Sequence, residues 1–62
     1  MTATYIAHIW FKGDQWIHPQ EIRLTTSHAS AYERDGWTFV QANGRVLVEF
    51  HAQLERFEIV PK

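Results

Sequence analysis

The chain of 62 residues contains no cysteine, which excludes disulfide bonds and with them the disulfide-stapled class of small secreted domains. No apolar stretch approaches the roughly 20 residues that a membrane-spanning helix needs, and no signal peptide is visible. A reducing compartment is therefore favoured, and we expect a soluble protein of the cytoplasm without a membrane partner.

The sequence also lacks any run of lysine or arginine. Its six basic residues are dispersed along the chain and are balanced by seven acidic ones, which leaves a formal net charge of −1. A surface that follows a phosphate backbone needs clustered positive charge. Nucleic acid is therefore the less favoured class of partner.

The clearest pattern that is present is the stretch 37–50, WTFVQANGRVLVEF, in which two apolar runs flank Asn43 and Gly44. Both central residues tolerate the positive φ of a type I′ turn, so the pattern predicts a β-hairpin with a fixed register. Side chains alternate between the two faces of a strand. The face predicted to be the core carries Trp37, Phe39, Gln41, Val46, Val48 and Phe50. The face predicted to be wet carries Thr38, Val40, Arg45, Leu47 and Glu49.

Asp35 and Gly36 form a second two-residue turn signal, which extends the hairpin into a three-stranded meander. The meander creates one cross-strand row on the predicted core face. The row comprises Tyr32, Phe39 and Val48. The alternative is a short helix over 27–35 that ends at the following glycine. The matched row favours the meander.

The remainder of the chain predicts further extended segments. They cover residues 4–11, 15–18, 21–26 and 55–60. The segment 4–11, TYIAHIWF, is largely apolar on both faces, which is typical of a central or covered strand. Residues 51–54 fit a single 3₁₀ turn before the last strand. The fold class expected is an all-β small barrel of five or six strands, in a single domain over 1–62.

A domain of this size buries only about 60% of the surface that its unfolded chain exposes, so it has a small margin of stability. Nine aromatic residues (three Trp, two Tyr and four Phe) partly compensate, and association with a second copy is a further remedy. The apolar second face of the first strand and the pair Val40 and Leu47 predict a homodimer.

The stretch 35–54, DGWTFVQANGRVLVEFHAQL, together with the order of the predicted elements, resembles the second half of an SH3 domain. In that family a Trp opens one strand, a Gly-containing distal turn follows, and an apolar residue precedes a 3₁₀ turn. The resemblance implies a small SH3-like barrel with Trp37 at a groove-lining position. His51 and Leu54 stand where the groove carries Pro and Tyr, so polyproline recognition is not implied. The compact form also resembles small bacteriophage-encoded β-proteins, without a diagnostic motif.

No constellation for metal or catalytic chemistry is apparent. The four histidines are His8, His18, His28 and His51. Their spacing is wide and cysteine is absent, unlike structural zinc sites. There is no GxSxG elbow, and nothing orients Ser27, His28 and Asp35 into a catalytic set. We expect no enzyme activity, no metal and no cofactor.

The aromatic content is the most informative positive feature, because three tryptophans cannot all be central in so small a core. Either they cover the ends of the barrel, or one or two are exposed and bind a partner, since Trp and Arg are enriched in interface hot spots. The predicted partner-binding residues are Trp10, Trp16, Arg34, Trp37 and His51. A cation–π pair is expected between Arg34 and Trp37. The function predicted is a protein-interaction module, and the alternative is a barrel that stacks single-stranded nucleic acid on exposed rings.

Overall fold

A computed structural model of the chain describes residues 4–62. These residues form six β-strands and no helix. The strands are β1 (Tyr5–Phe11), β2 (Gln20–Leu24), β3 (Ala29–Arg34), β4 (Trp37–Ala42), β5 (Arg45–Phe50) and β6 (Leu54–Pro61). The predicted all-β class is confirmed. The domain predicted over 1–62 includes residues 1–3, which lie outside the described range.

The strands are arranged in two antiparallel three-stranded sheets. We call them the β1 sheet, in the order β2-β1-β6, and the β4 sheet, in the order β3-β4-β5. The first strand is therefore central, as its apolar residues on both faces predict. No ladder joins the two sheets within residues 4–62, so this part of the chain does not form the closed barrel that the sequence suggests.

Two tight turns organise the β4 sheet. Asn43 and Gly44 have φ of 54° and 75°, and Asp35 and Gly36 have φ of 53° and 81°. Positive φ at both central residues is the requirement of a type I′ turn, so both predicted hairpins are confirmed. The alternative of a helix over 27–35 is wrong, because this segment enters the second turn as strand β3.

The register of the β4–β5 hairpin changes after the first two residue pairs that follow the turn. Gln41 lies opposite Val46 as predicted, but Val40 lies opposite Val48 rather than Leu47. Leu47 is thus the extra residue of a β-bulge. The extra residue places Val46 and Val48 on opposite faces of the sheet. Val46 is therefore 51% exposed, while Val48 packs against the core.

The core face of β4 is the opposite of the one that the sequence predicts. Thr38 and Val40 are completely buried, and Ala42 is nearly so. Trp37 is 37% exposed, and Phe39 is only half-buried. The prediction that these two aromatic side chains fill the core is wrong, and the same holds for the prediction of a wet face that contains Val40.

Large side chains from other elements explain this choice of face. The ring of Phe11 on β1 lies 5.0 Å from that of Phe50 and 4.8 Å from that of Trp16. Close packing against such large groups requires small side chains on β4. Thr38 is tolerated there because its hydroxyl donates a 2.8 Å hydrogen bond to the carbonyl of Ala52, which offsets the cost of burying a polar group.

The segment 15–18, which the sequence predicts to be a short strand, is a turn and loop. The backbone N–H of Trp16 donates to the carbonyl of Gly13 at 3.1 Å, which closes the turn. The chain then becomes extended at β2, immediately after Pro19, which has no N–H to donate to a strand ladder. The large ring of Trp16 thus reaches the core from a loop.

The 3₁₀ turn predicted over 51–54 is also wrong. Residues 51 and 52 form a bend, and Leu54 already begins β6. Side chains supply the hydrogen bonds that a 3₁₀ turn would make within itself. The backbone N–H of Leu54 donates to the carboxylate of Glu33 at 3.0 Å, and the carbonyl of Ala52 accepts from Thr38. The first of these bonds also ties an edge of the β4 sheet to the start of β6.

Candidate functional site

Four rings lie on the outward side of the β4 sheet. They are Tyr32, Trp37, Phe39 and His51, and we call this surface the aromatic face. Strand β3 supplies Tyr32, strand β4 supplies Trp37 and Phe39, and the bend after β5 supplies His51. The antiparallel register places Tyr32 directly opposite Phe39, as predicted, but on the outer side of the sheet.

The rings of the aromatic face form two stacked pairs. The centroids of Tyr32 and Phe39 are 5.2 Å apart at an interplanar angle of 22°, and those of Trp37 and His51 are 4.4 Å apart at 15°. Tyr32 is 38% exposed and Trp37 is 37% exposed. Rings that are already held by neighbours lose less side-chain freedom on binding, so the face is preorganised for a flat apolar or aromatic contact.

The buried side of the sheet fixes the position of His51. Trp37 and Thr38 are consecutive on β4, so their side chains point to opposite sides. On the inner side, the bond from the Thr38 hydroxyl to the carbonyl of Ala52 holds the bend. His51 immediately precedes Ala52, and its ring lies over Trp37 on the outer side. One buried hydrogen bond therefore supports an exposed ring pair.

Charged residues of both signs border the aromatic face. Arg34 lies opposite Trp37 in the register, and its Nε atom is 3.9 Å from Oδ2 of Asp35. Glu49 lies opposite Phe39. Both partners of the Arg34 pair are strongly exposed, so the pair adds little stability and leaves the guanidinium free to change partner. Neither sign of charge dominates this face.

Trp10 lies on the outward side of the other sheet. The guanidinium of Arg56 stands 4.8 Å from the centre of its ring, and His8 meets it edge to face at 6.0 Å. Within residues 4–62, the cation–π contact therefore joins Arg56 to Trp10 and not Arg34 to Trp37, which stacks on His51 instead. Trp10 is half-buried beneath these neighbours.

Trp16 is part of the packing between the two sheets. Its ring lies 4.8 Å from that of Phe11 and contributes to the border of the hydrophobic core. The indole N–H is buried without a hydrogen-bond partner among the described residues. Its next neighbour, Ile17, is 79% exposed. The indole itself therefore has a structural environment rather than that of a surface anchor.

Of the predicted binding residues, the structure brings together Trp37, His51 and Arg34. The other two, Trp10 and Trp16, lie elsewhere. Tyr32 and Phe39 complete the aromatic face but are not among the predicted binding residues, because the sequence places them in the core and the SH3 resemblance gives neither of them a groove position. Their pairing across the Asp35-Gly36 turn indicates that they share a face, but not that this face is the outer one.

The histidines are not gathered into one site. His8 lies on the β1 sheet, where its Nε2 is 3.2 Å from Oε1 of Glu21, whereas His51 belongs to the aromatic face. In the range 4–62, the structure contains no group of three or more His, Cys, Asp or Glu side chains arranged to hold a metal ion. The same range has no helix that is long and apolar enough to cross a membrane.

Comparisons with protein-family models, with curated proteins and with solved structures found no match to this chain.

Proposed function

We propose that this protein is a non-enzymatic interaction module that binds a protein partner through the aromatic face. The observation that carries the proposal is the exposure of two stacked ring pairs on one side of the β4 sheet. Trp and Tyr supply large contact areas with few rotatable bonds, and they are enriched in the hot spots of protein interfaces.

The immediate surroundings of the rings support a protein partner. Arg34 and Glu49 offer one charge of each sign beside the apolar surface, which is the arrangement of a polar rim around an apolar centre. Val46, 51% exposed, extends the apolar surface towards the turn. We place Trp37 at the centre of the contact, with Tyr32 beside it.

The finer architecture that we propose is an open SH3-like small barrel. The meander β3-β4-β5 and the pairing of the first strand with the last support this arrangement, since both belong to the order of elements on which the resemblance rests; the 3₁₀ turn of that order is replaced by a bend. In this view β2 and β3 are the two arms of one bent strand, separated by residues 25–28. The bend would let the chain cross from one sheet to the other.

A second candidate function is the binding of single-stranded nucleic acid. Ring faces that are exposed on an open sheet can stack bases, and this is the specific observation that favours it. A cationic groove is normally needed as well. Glu49 opposite Phe39 and Asp35 beside Arg34 place negative charge next to the rings, where it would repel a phosphate backbone, so a protein partner is preferred.

A second copy of the chain is the simplest protein partner to test first. Sedimentation velocity across a wide concentration range should give a shift from monomer to dimer for the native chain. Trp37→Ala should abolish the shift if the aromatic face forms the contact. A monomer at all concentrations would remove the homodimer and leave a different protein as the partner.

The proposed function is tested with two baits that each lose one indole. Trp37→Ala removes a ring from the aromatic face, and Trp10→Ala removes one from the other sheet. Cross-linking and affinity capture should recover a partner with the native chain and with Trp10→Ala, but not with Trp37→Ala. Circular dichroism must first show that both variants are folded.

Two results would contradict the proposal. One is equal capture of the partner by both variants. The other is strong, salt-sensitive binding of single-stranded oligonucleotides that Trp37→Ala abolishes, because this would assign the aromatic face to nucleic acid.

A further inference from the structure

A cleft of about 410 Å³ opens between β2 and the tip of the β4–β5 hairpin. Its volume falls within the range of roughly 300–1,000 Å³ that is usual for ligand sites. Leu24 and Ala42 form a buried floor, and Ile22 and Val48 are half-buried beside them. Leu47, 50% exposed, stands at the rim. The cleft is separate from the aromatic face.

One wall of the cleft is the free edge of a sheet. Strand β2 pairs with β1 on one side and with no other strand within residues 4–62 on the other. Its backbone N–H and C=O groups on that edge are therefore available to an added strand. The opposite wall, β5, is also an edge, but the bulge at Leu47 interrupts its regular spacing. Strand β2 is the edge that can accept regular pairing.

The side chains of β2 define what an added strand must carry. Ile22 and Leu24 point towards the core, and Arg23 between them points to the other side. Neighbours in adjacent strands share a face. Apolar residues should therefore lie opposite Ile22 and Leu24, and a residue that suits a guanidinium should lie opposite Arg23.

The charges that line the cleft indicate which charge the residue opposite Arg23 should carry. The charged side chains that line the cleft are Arg23 and Arg45, with no carboxylate among the lining residues. Arg34 and Arg56 each have an acidic partner within 4 Å, but Arg23 and Arg45 have none in the range 4–62. Two unpaired guanidinium groups beside an apolar floor suit an acidic ligand.

We propose that this cleft is a second binding site, which takes an extended peptide segment of alternating apolar and acidic residues as an added strand on β2. The apolar side chains enter the floor beside Ile22 and Leu24. An acidic side chain lies opposite Arg23, and Arg45, which lies opposite the buried Ala42 on the core side, adds positive charge beside the cleft. The proposal does not depend on the function of the aromatic face.

The probe is the blocked peptide acetyl-VEVEV-amide, compared with acetyl-VKVKV-amide of the same pattern and opposite charge. Fluorescence anisotropy of labelled peptides should give at least about tenfold tighter binding of the acidic peptide at low salt, because the lysine peptide replaces attraction to Arg23 by repulsion and the nearby charge of Arg45 acts in the same direction. An acidic peptide that is N-methylated at every residue should lose binding, since it lacks the backbone donors of an added strand. Amide resonances of residues 22–26, which line the cleft, should shift on titration, since pairing there sets the glutamates of the probe opposite Arg23 and Thr25 rather than Glu21.

Matched variants separate this site from the aromatic face. Arg23→Glu should weaken the acidic peptide at least about tenfold and strengthen the lysine peptide, while Trp37→Ala should leave both affinities unchanged. The proposal is overturned if neither peptide binds at millimolar concentration, or if both bind equally well. It is also overturned if Trp37→Ala rather than Arg23→Glu abolishes binding, because the peptide would then occupy the aromatic face.

Discussion

Replacing each of two valines of the β4–β5 hairpin by serine tests which face is the core. Val40 is completely buried, so Val40→Ser removes an apolar side chain from the core and buries a hydroxyl in its place. The lost apolar burial costs about 1.5–3 kcal/mol, and the hydroxyl without a partner adds about 1–3 kcal/mol. We expect a total loss of about 2.5–6 kcal/mol, which is comparable with the whole stability of roughly 3–9 kcal/mol for a domain of this length.

Val46→Ser is the matched control, because it makes the same chemical change on the same hairpin. Val46 is 51% exposed on the outer side of the bulge, so the change should cost less than about 1 kcal/mol. Phe39→Thr is the second control. Phe39 is half-buried, so the change loses part of its apolar burial, of about 1 kcal/mol, as well as the aromatic pair with Tyr32, of about 0.5–1.5 kcal/mol.

Urea unfolding monitored by circular dichroism measures all three differences, and each 1 kcal/mol should shift the thermal midpoint by about 4–8 °C. We expect Val40→Ser to be far less stable than the native chain, and Phe39→Thr and Val46→Ser to be closer to the native stability. If the core face were the one that the sequence predicts, the order of stabilities would be reversed, and truncating Phe39 would cost about 3–5 kcal/mol. If Phe39→Thr or Val46→Ser destabilises the protein as much as Val40→Ser, the description of the two faces is wrong.

Three further changes probe single interactions. Thr38→Val, which keeps the side-chain shape, should lower stability by about 1 kcal/mol in a thermal scan because the carbonyl of Ala52 loses its donor, and an unchanged midpoint would show that this bond is unimportant. Gly44→Ala should cost about 1 kcal/mol in urea unfolding from its φ of 75° alone, since an added Cβ meets nothing within 4 Å; a stabilised variant would contradict the turn geometry. Glu33→Ala should speed hydrogen exchange of the Leu54 amide whereas Glu33→Gln should not, and equal exchange in the two would remove the side-chain acceptor from that amide.

The turns of the β4 sheet could be predicted from the sequence because their chemistry is local. Asn43-Gly44 and Asp35-Gly36 are pairs that tolerate positive φ, and each two-residue turn fixes the register of the strand pairs next to it, although the bulge at Leu47 shifts the rest of the β4–β5 ladder. The central position of β1 could also be predicted, from apolar residues on both of its faces. These features depend on short segments, and no knowledge of the rest of the fold is needed to recognise them.

The faces of β4 could not be predicted in this way, because both faces carry apolar side chains. One offers Thr38, Val40 and Ala42, and the other offers two aromatic residues. The larger hydrophobic surface favours the aromatic side for the core. The outcome depends on the large rings that β1 and the loop before β2 bring from the opposite side, and this is a property of the assembled sheets.

The residues of the candidate site also fall into those that could be predicted from the sequence and those that could not. Trp37 and His51 could be predicted as binding residues from the aromatic surplus and the SH3 resemblance, and they do lie together. Tyr32 and Phe39 could not, because the sequence places them in the core and the resemblance assigns them no position in a groove. The stack of His51 on Trp37 depends on a bend that is held by the buried hydroxyl of Thr38. No local sequence pattern predicts this bend.

The bulge at Leu47 links the two surfaces for which we propose functions. Without the extra residue, Val46 and Val48 would share a face, and one hairpin could not place the first outside and the second inside. The bulge extends the apolar surface beside the aromatic rings through Val46, and it interrupts the edge of β5 at the rim of the cleft. It therefore leaves β2 as the regular edge at that cleft. A single inserted residue thus allows one small domain to present two chemically different surfaces: rings bordered by charges of both signs, and an apolar cleft bordered by arginine.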